Sequence, residues 1–241
     1  MLRHLALAAC SALLVAAVAS EPSRAPVLVE LFTSEGCSSC PPADRLLQQL
    51  DSRSIVLSEH VDYWDHQGWK DRFSSHAFTS RQESYARLFN LDSSYTPEMV
   101  VDGAVEFNGS DSARAAQEIA KAARRPKAQV SLAHLPADGL RIEVDSAPAS
   151  GDVMLALADP AAQSEVAAGE NKGHNLTHVA VVRSLWKVGS VMRRKAFRSE
   201  ITLPHETAAQ RIVVFVQEDG QARVSGAAML APAAASYKPA P

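Results

Sequence analysis

A Cys-x-x-Cys motif at Cys37 and Cys40 constrains this chain more than any other feature, because of the elements that surround it. Residues 27–32 form a nearly continuous apolar run of strand length, as expected for a buried central strand. Two prolines after the motif suit the first turn of a helix, and leucines at helical spacing lie within residues 43–50. Residues 55–60 predict a second strand. The sequence therefore predicts a βαβ unit with parallel strands and the cysteines at the start of its helix.

The position of the two cysteines predicts thiol–disulfide chemistry. The free amides and the dipole at a helix N-terminus stabilise a thiolate, so we expect Cys37 to be the nucleophile. Cys40 lies one turn further along and is expected to resolve a mixed disulfide. Two alternatives stay open. One is a purely structural disulfide, and the other is a metal site in which His60 joins both cysteines as a ligand.

The third cysteine, Cys10, lies in a segment typical of an export signal. Arg3 precedes an apolar run at residues 5–18, and Ala17-Val18-Ala19 is a small-x-small cleavage site. The run is shorter than the ~20 residues that a membrane span needs. We therefore predict a signal peptide at residues 1–19 and a periplasmic or secreted protein with no membrane contact after cleavage. A lipoprotein signal ending at Cys10 is the alternative.

The composition indicates an ordinary globular protein. Of 241 residues, 46% are hydrophobic and 21% are charged, which argues against a disordered or coiled-coil chain. The formal net charge of −3 provides no basic excess for nucleic acid or an anionic membrane. No nucleotide-binding, serine-hydrolase or zinc-protease motif occurs in the sequence, so no cofactor is expected. The expected partners are protein or small-molecule thiols and disulfides.

The patterning changes at Arg125-Pro126, which marks a predicted domain boundary. Before it, helical spacing predicts helices at 76–89 and 112–125, with a hairpin of strands at 99–101 and 105–107 between them. After it, short β-like runs separated by turns predict a sandwich-like β module. The predicted strands of that module are residues 129–133, 140–144, 153–157, 178–186, 200–203 and 212–216.

These patterns divide the chain into a signal peptide and three further segments. We expect an α/β domain at 25–126, a β-rich sandwich-like domain at 127–231 and a disordered tail at 232–241. The tail is rich in alanine and proline.

Glu30 is an unusual residue in the first predicted strand, because an acid interrupts an apolar run there. In one interpretation it lies beneath the disulfide and accepts a proton during catalysis. In the other it is a carboxylate paired at a strand edge.

Residues 60–71 combine two tryptophans, two histidines and three aspartates at the C-terminal end of the second strand, where α/β sites gather. Tyr63 and Trp64 are candidate substrate-binding residues beside Cys37, and the alternative is that both anchor the loop in the core. His60 or Asp62 is a candidate for proton transfer.

The chain resembles the thioredoxin superfamily. The first strand, the Cys37–Cys40 motif and its helix match the first half of that fold, and Thr96-Pro97 before a strand resembles the superfamily's cis-proline loop. The resemblance implies a thioredoxin-like N-terminal domain and binding of a substrate backbone at Thr96 and Pro97. The Ser-Ser pair between the cysteines departs from the well-studied relatives, so the resemblance implies no direction of electron flow.

More narrowly, the chain is similar to the secreted DUF1223 proteins, a thioredoxin-like family of undefined activity. The similar segments are LFTSEGCSSCPPAD at 31–44, HVDYWDHQGWKD at 60–71, FTSRQ at 78–82, YTPEMVVDG at 95–103 and GENKGHNLTHVAVVR at 169–183. Within the last of these, we expect the glycine-bounded residues 169–174 to form a tight turn. The alternative is that this loop reaches across to the redox site.

Overall fold

The computed structural model describes residues 26–205 and 207–232. The predicted signal peptide at 1–19 and, beyond Pro232, the predicted tail lie outside the described residues. In chain order the elements are β1 (Leu28–Thr33), α1 (Pro41–Leu50), β2 (Ile55–His60), α2 (His76–Phe89), β3 (Glu98–Val101), β4 (Val105–Asn108), α3 (Ser112–Ala122), β5 (Val130–Leu135), β6 (Gly139–Val144), β7 (Gly151–Glu165), β8 (Asn175–Val191), β9 (Phe197–Thr202), β10 (Arg211–Glu218) and β11 (Val224–Leu230).

The first half of the chain contains the predicted helices and strands, with small differences at their ends. α2 has the predicted bounds because both of its ends are capped. The Ser75 hydroxyl accepts a hydrogen bond from the Ala77 amide, and Asn90 ends the helix in the left-handed conformation at φ 56°. α3 ends at Ala122, three residues before its predicted end.

Eight strands form one sheet that runs through both halves of the chain, in the order β11-β10-β7-β8-β2-β1-β3-β4. β1 and β2 are parallel, as predicted, and β3 pairs antiparallel with the other side of β1. On the outer side of β2, parallel pairing of Ser58 with Val181 attaches β8. Four of the strands after residue 126, β7, β8, β10 and β11, therefore extend the sheet that precedes the cysteine motif.

The mixed α/β class is confirmed, but the C-terminal segment is not a sandwich with two sheets of its own. β5, β6 and β9 form a separate three-stranded sheet. Leu140 and Ile142 of that sheet share an apolar core with Leu155 and Val214 of the large sheet. The second layer of the expected sandwich is thus the extension of the N-terminal sheet. The C-terminal strands join the N-terminal sheet because β8 pairs with the edge of β2, whose backbone groups would otherwise be unpaired.

β11 is a strand that the sequence analysis did not predict. Its centre is Ser225-Gly226-Ala227-Ala228, and these are weak strand formers. A Cβ at Gly226 would lie 2.7 Å from the carbonyl oxygen of Ala128, so the close approach of two backbones requires glycine there.

A second apolar core joins the N-terminal elements to the extension of the sheet. Leu28, Leu31 and Leu47 belong to the same buried cluster as Ala156 and Val213. None of the described helices is long and apolar enough to span a membrane.

Candidate functional site

The cysteine motif lies at the N-terminus of α1, as predicted, and its two cysteines form a disulfide. Cys40 is the N-cap residue, and its carbonyl accepts hydrogen bonds from the amides of Ala43 and Asp44. Both cysteines are 0% exposed, whereas Ser38 and Ser39 between them are exposed. The disulfide is therefore covered, and only the loop between its cysteines lies at the surface.

The loop that joins β7 to β8 covers the motif. The Asn171 side-chain amide donates to the carbonyl oxygens of Glu35 and Cys37, at 2.9 and 3.0 Å. Oε2 of Glu170 accepts a hydrogen bond from the Ser38 amide at 3.0 Å. The expectation of a simple tight turn at 169–174 was therefore wrong, because β7 and β8 are long enough to carry their connecting loop across to the cysteines.

A buried ionic group of three residues lies next to the motif. The His178 ring on β8 has Nε2 3.7 Å from Oε1 of Glu35 and Nδ1 3.7 Å from Oδ2 of Asp44. These separations suit an ion pair but exceed a hydrogen bond. Burial alone would lower the pKa of His178, but Asp44 and Glu35 outweigh it and raise this pKa to about 9. His178 is therefore an imidazolium at neutral pH.

Glu35 connects this group to the backbone of the motif, since it lies two residues before Cys37. Its Oε2 accepts a hydrogen bond from Nε1 of Trp69 at 2.8 Å. Burial and the charge of Asp71 both act to raise the pKa of Glu35, but the interactions with His178, Ser164 and Trp69 together hold it below its ordinary value. Glu35 is therefore a buried carboxylate.

His60 forms a second acid–histidine pair with Asp71. Its Nδ1 lies 2.6 Å from Oδ2 of Asp71, which also accepts the Glu35 amide at 2.9 Å. Burial would raise the pKa of Asp71, but His60 and the amides of Glu35 and Phe73 lower it. The rings of His60 and His178 meet edge to face, with centroids 4.7 Å apart. The two acid–histidine groups are therefore in contact.

Glu30, the predicted proton acceptor, forms a buried ion pair with Arg81 and accepts a hydrogen bond from the Tyr85 hydroxyl at 2.7 Å. Thr33, three residues after Glu30 on β1, faces α1, because its hydroxyl donates a hydrogen bond to Asp44 of that helix. Because alternate side chains of a strand point to opposite faces, Glu30 faces away from α1, toward α2. These contacts fit the paired carboxylate of the second interpretation, but its expected position at a strand edge was wrong, because β1 lies between β2 and β3. Proton transfer by Glu30 stays a prediction.

The Thr96–Pro97 peptide bond is cis. Nε1 of Trp64 donates to Oγ1 of Thr96 at 2.8 Å, and the Trp64 Cβ lies 3.1 Å from the Cβ position of Gly36. The predicted aromatic segment therefore connects the Thr96–Pro97 loop with the loop before Cys37.

Tyr63 and Trp64 are both half-buried and pack against the apolar cluster of Phe32, Val61 and Tyr85. The Tyr63 hydroxyl donates to Oε1 of Gln82 at 3.2 Å. These contacts fit the interpretation that the aromatic residues anchor the loop, and the remaining exposed surface of Trp64 leaves the substrate-wall interpretation as a proposal.

The alternative metal site gains no support from the described parts of the chain. Cys37 and Cys40 are bonded to each other, and Nδ1 of His60 is engaged by Asp71. Within residues 26–205 and 207–232, no group of three or more histidine, cysteine, aspartate or glutamate side chains has an arrangement that could hold a metal ion.

Five residues that surround the motif were not predicted from the sequence, namely Glu35, Asp44, Asp71, Asn171 and His178. All five lie within segments already singled out, at 31–44, 60–71 and 169–183, and His178 also begins a predicted strand. His178 directly precedes the apolar run at 179–182, and this was the available signal, because a histidine beside a buried strand needs a polar partner.

Two solved structures resemble this chain. The crystal structure of a protein from Agrobacterium tumefaciens is 26% identical in sequence, with a TM-score of 0.76, and the match covers 88% of this chain and 96% of that one. HBP35 of Porphyromonas gingivalis is 15% identical with a TM-score of 0.47, over 90% of this chain and 80% of that one. No curated protein matches. The sequence model of DUF1223, described as a protein of unknown function, matches residues 28–217. The chain belongs to the DUF1223 family.

Proposed function

We propose that this protein is an exported, thioredoxin-like thiol–disulfide oxidoreductase. The observation that carries the proposal is a Cys37–Cys40 disulfide at the N-terminus of α1. The neighbourhood of Pro97 supports it. Ala43 of α1 and Pro97 both lie 3.1 Å from the Cβ position of Gly109, so the start of α1 and the Thr96–Pro97 loop are adjacent.

The proposed reaction is a reversible exchange between the cysteine pair and a substrate disulfide. In the reduced protein, the Cys37 thiolate attacks one sulfur of the substrate disulfide and displaces the other as a thiolate, which takes up a proton. The Cys40 thiolate then attacks the Cys37 sulfur, releases the second substrate thiolate and closes the Cys37–Cys40 disulfide. The substrate gains two electrons and the protein loses two. Run in reverse, the same steps oxidise a substrate dithiol.

The proposed substrates are disulfides or thiols of proteins or small molecules outside the cytoplasm. Thr96, Pro97 and Trp64 would line the approach to Cys37. Because Cys37 is fully buried, the reaction needs its cover to open, and we propose that the loop at 169–174 is the segment that moves away from the motif. That loop is held because Glu170 accepts a hydrogen bond from the motif and Asn171 donates two to it. Such bonds contribute only about 1 kcal/mol each, more where a charge is involved.

The test is catalysis of disulfide reduction in insulin, and of thiol oxidation in a reduced peptide, by the full chain. We expect Cys37→Ser to abolish both activities. Cys40→Ser should accumulate a mixed disulfide with the substrate, because nothing resolves it. Cys10→Ser is the matched control, since Cys10 lies in the predicted signal peptide, and it should retain full activity. A Cys37→Ser protein as active as the wild type would reject the proposal.

The second candidate is a non-enzymatic binding module in which the disulfide is structural. The complete burial of both cysteines favours it. This candidate predicts no catalysis and a reduction potential below about −300 mV, as is typical of structural disulfides. It also predicts that reducing the disulfide lowers the melting temperature without any effect of the protein on substrate disulfides.

A further inference from the structure

We propose that His178 is a positioning residue that sets the redox equilibrium of the Cys37–Cys40 pair through Glu35 and Asp44. The inference deepens the proposed function and rests on it only in requiring that the pair can be reduced and reoxidised. His178 belongs to β8, far along the chain from the cysteines, and within the described residues no hydrogen bond joins its ring to a cysteine sulfur. It acts through the two carboxylates that connect it to the motif.

The two carboxylates lie on either side of the cysteine pair along the chain. Glu35 is two residues before Cys37, and its carbonyl oxygen shares the Asn171 amide with the Cys37 carbonyl. Asp44 lies one turn after Cys40, and its amide donates to the Cys40 carbonyl at 3.1 Å. His178 lies between these carboxylates, 3.7 Å from each. One buried cation therefore balances the acids on both flanks of the disulfide.

No hydrogen bond within the described structure accounts for the His178 ring, although it is 1% exposed. A buried polar ring without hydrogen bonds is costly, so an ionic role explains it better than a packing role. The charged and titratable groups that face it are Glu35 from the loop after β1, Asp44 from α1 and His60 from β2, which is paired with Asp71.

Phe73 also packs against His178, with its ring centroid 6.0 Å from that of His178. The guanidinium groups of Arg72 and Arg183 lie over the Phe73 ring, at 4.7 and 5.4 Å from its centroid. These two cations stack on Phe73, and among the described residues the ion pairs of His178 are with the carboxylates of Glu35 and Asp44.

The charge balance affects the reduced form more than the disulfide, because only the reduced form carries a thiolate. A charged His178 offsets the repulsion that the carboxylates of Glu35 and Asp44 would exert on this thiolate. Replacing His178 by a neutral side chain leaves the two buried acids that flank the cysteine pair along the chain without a counter-charge, which disfavours a thiolate there and so disfavours reduction. Replacing Glu35 by glutamine removes one of these negative charges and favours reduction.

The experiment measures the reduction equilibrium of the pair in the full chain, in dithiothreitol buffers of graded composition at pH 7. For His178→Gln we expect the equilibrium constant for reduction to fall about tenfold, equivalent to about 30 mV for a two-electron couple. For Glu35→Gln we expect a rise of several-fold. His134→Gln, at an exposed position on β5, is the matched control and should equal the wild type.

Changes of opposite sign in the equilibrium constant for reduction, in His178→Gln and Glu35→Gln, support the proposal. A general loosening of the structure would change both constants in the same direction. Shifts of the same sign, or a His178→Gln value within twofold of the wild type, would overturn it. A disulfide that stays oxidised in every buffer would overturn it as well. If the shifts appear but the wild type does not catalyse exchange with insulin, the proposed function fails and this inference stands.

Discussion

Individual buried charges distinguish this protein from an ordinary apolar core. His178 is held as a cation by Asp44 and Glu35, whereas Glu59 has a pKa well above its ordinary value, because burial outweighs the attraction of Arg81. Such residues make stability depend on pH, since the folded and unfolded states bind protons differently. The direction of each pKa shift determines the pH range in which the stability of the folded state changes.

His178 should stabilise the folded protein at neutral and acidic pH. Its pKa rises from 6.5 to about 9 on folding, so its contribution is fully present below about pH 6.5 and is lost as the pH rises through about 9. We expect His178→Gln to be less stable than the wild type by up to about 3 kcal/mol at pH 6, and by far less at pH 10. Denaturant unfolding at pH 6, 8 and 10 measures this, and a difference independent of pH would contradict it.

Glu98, next to the cis proline, should destabilise the folded protein when its carboxylate is charged, whereas a charged His178 stabilises it. Burial raises its pKa to about 7, and Glu106 and Glu30 add to this although the Gln82 amide opposes it. The folded state loses stability as the pH rises from about 4.5 through about 7, because a buried charge must then form. We expect Glu98→Gln to be more stable than the wild type at pH 8, by on the order of 1–3 kcal/mol, and close to it at pH 5.

Chemical denaturation at these two pH values tests the Glu98 prediction. The matched control is Glu143→Gln, because Glu143 pairs with Arg198 at the surface and surface pairs contribute little. A Glu98→Gln protein that is destabilised at pH 8 would show that the carboxylate is needed in its charged form.

At the scale of elements, the β7–β8 hairpin has two separate roles. Near its middle, Val181 joins it to β2 within the sheet. At its end, Asn171 is 2% exposed and holds the backbone on both sides of Gly36. One hairpin thus supplies both a central strand and the cover of the cysteine motif.

Loosening the end of this hairpin should expose the disulfide. Asn171→Ala removes two hydrogen bonds to the motif, worth about 1–2 kcal/mol together, and should speed reduction by a bulky phosphine about 5- to 30-fold. Lys172→Ala is the matched control, because Lys172 is exposed in the same loop. Equal reduction rates in all three proteins would mean that the loop does not limit access.

At the scale of the whole molecule, the shared sheet and the shared core argue that both halves of the chain fold together. A chain ending at Pro126 would lose the partner of β2 and the residues that complete the core beside Leu28 and Leu47. We therefore expect one cooperative transition for the described protein and not two.

The tryptophans allow a direct test of this cooperativity, because Trp64 and Trp69 belong to the first half and Trp186 to the second. Fluorescence of a Trp186→Phe protein reports on the first half, and that of the double Trp64→Phe, Trp69→Phe protein reports on the second. Each is compared with circular dichroism of the same variant. Fluorescence and dichroism transitions that coincide in both proteins support one unit. A half that unfolds at clearly lower urea concentration than the other would contradict it.

Much of the local structure was predictable from the sequence because local interactions determine it. α2 occupies the predicted residues 76–89, since apolar spacing and two capping residues define it without help from other elements. The short strands Ile55–His60 and Val105–Asn108 also lie close to their predicted positions. β11 was missed because small residues give no local strand signal, and its pairing with β10 creates it.

By itself, the sequence determined that a cysteine pair begins a helix after a buried strand, since the apolar run and the prolines act within a few residues. Only the tertiary structure decided what surrounds that pair. Glu30 faces α2 because of strand alternation, and Asn171 and His178 reach the motif because β8 pairs with β2. The contacts of Asn171 and His178 join residues more than a hundred positions apart. Such pairing depends on which sheet edge is free, a property of the assembled fold that no local pattern carries.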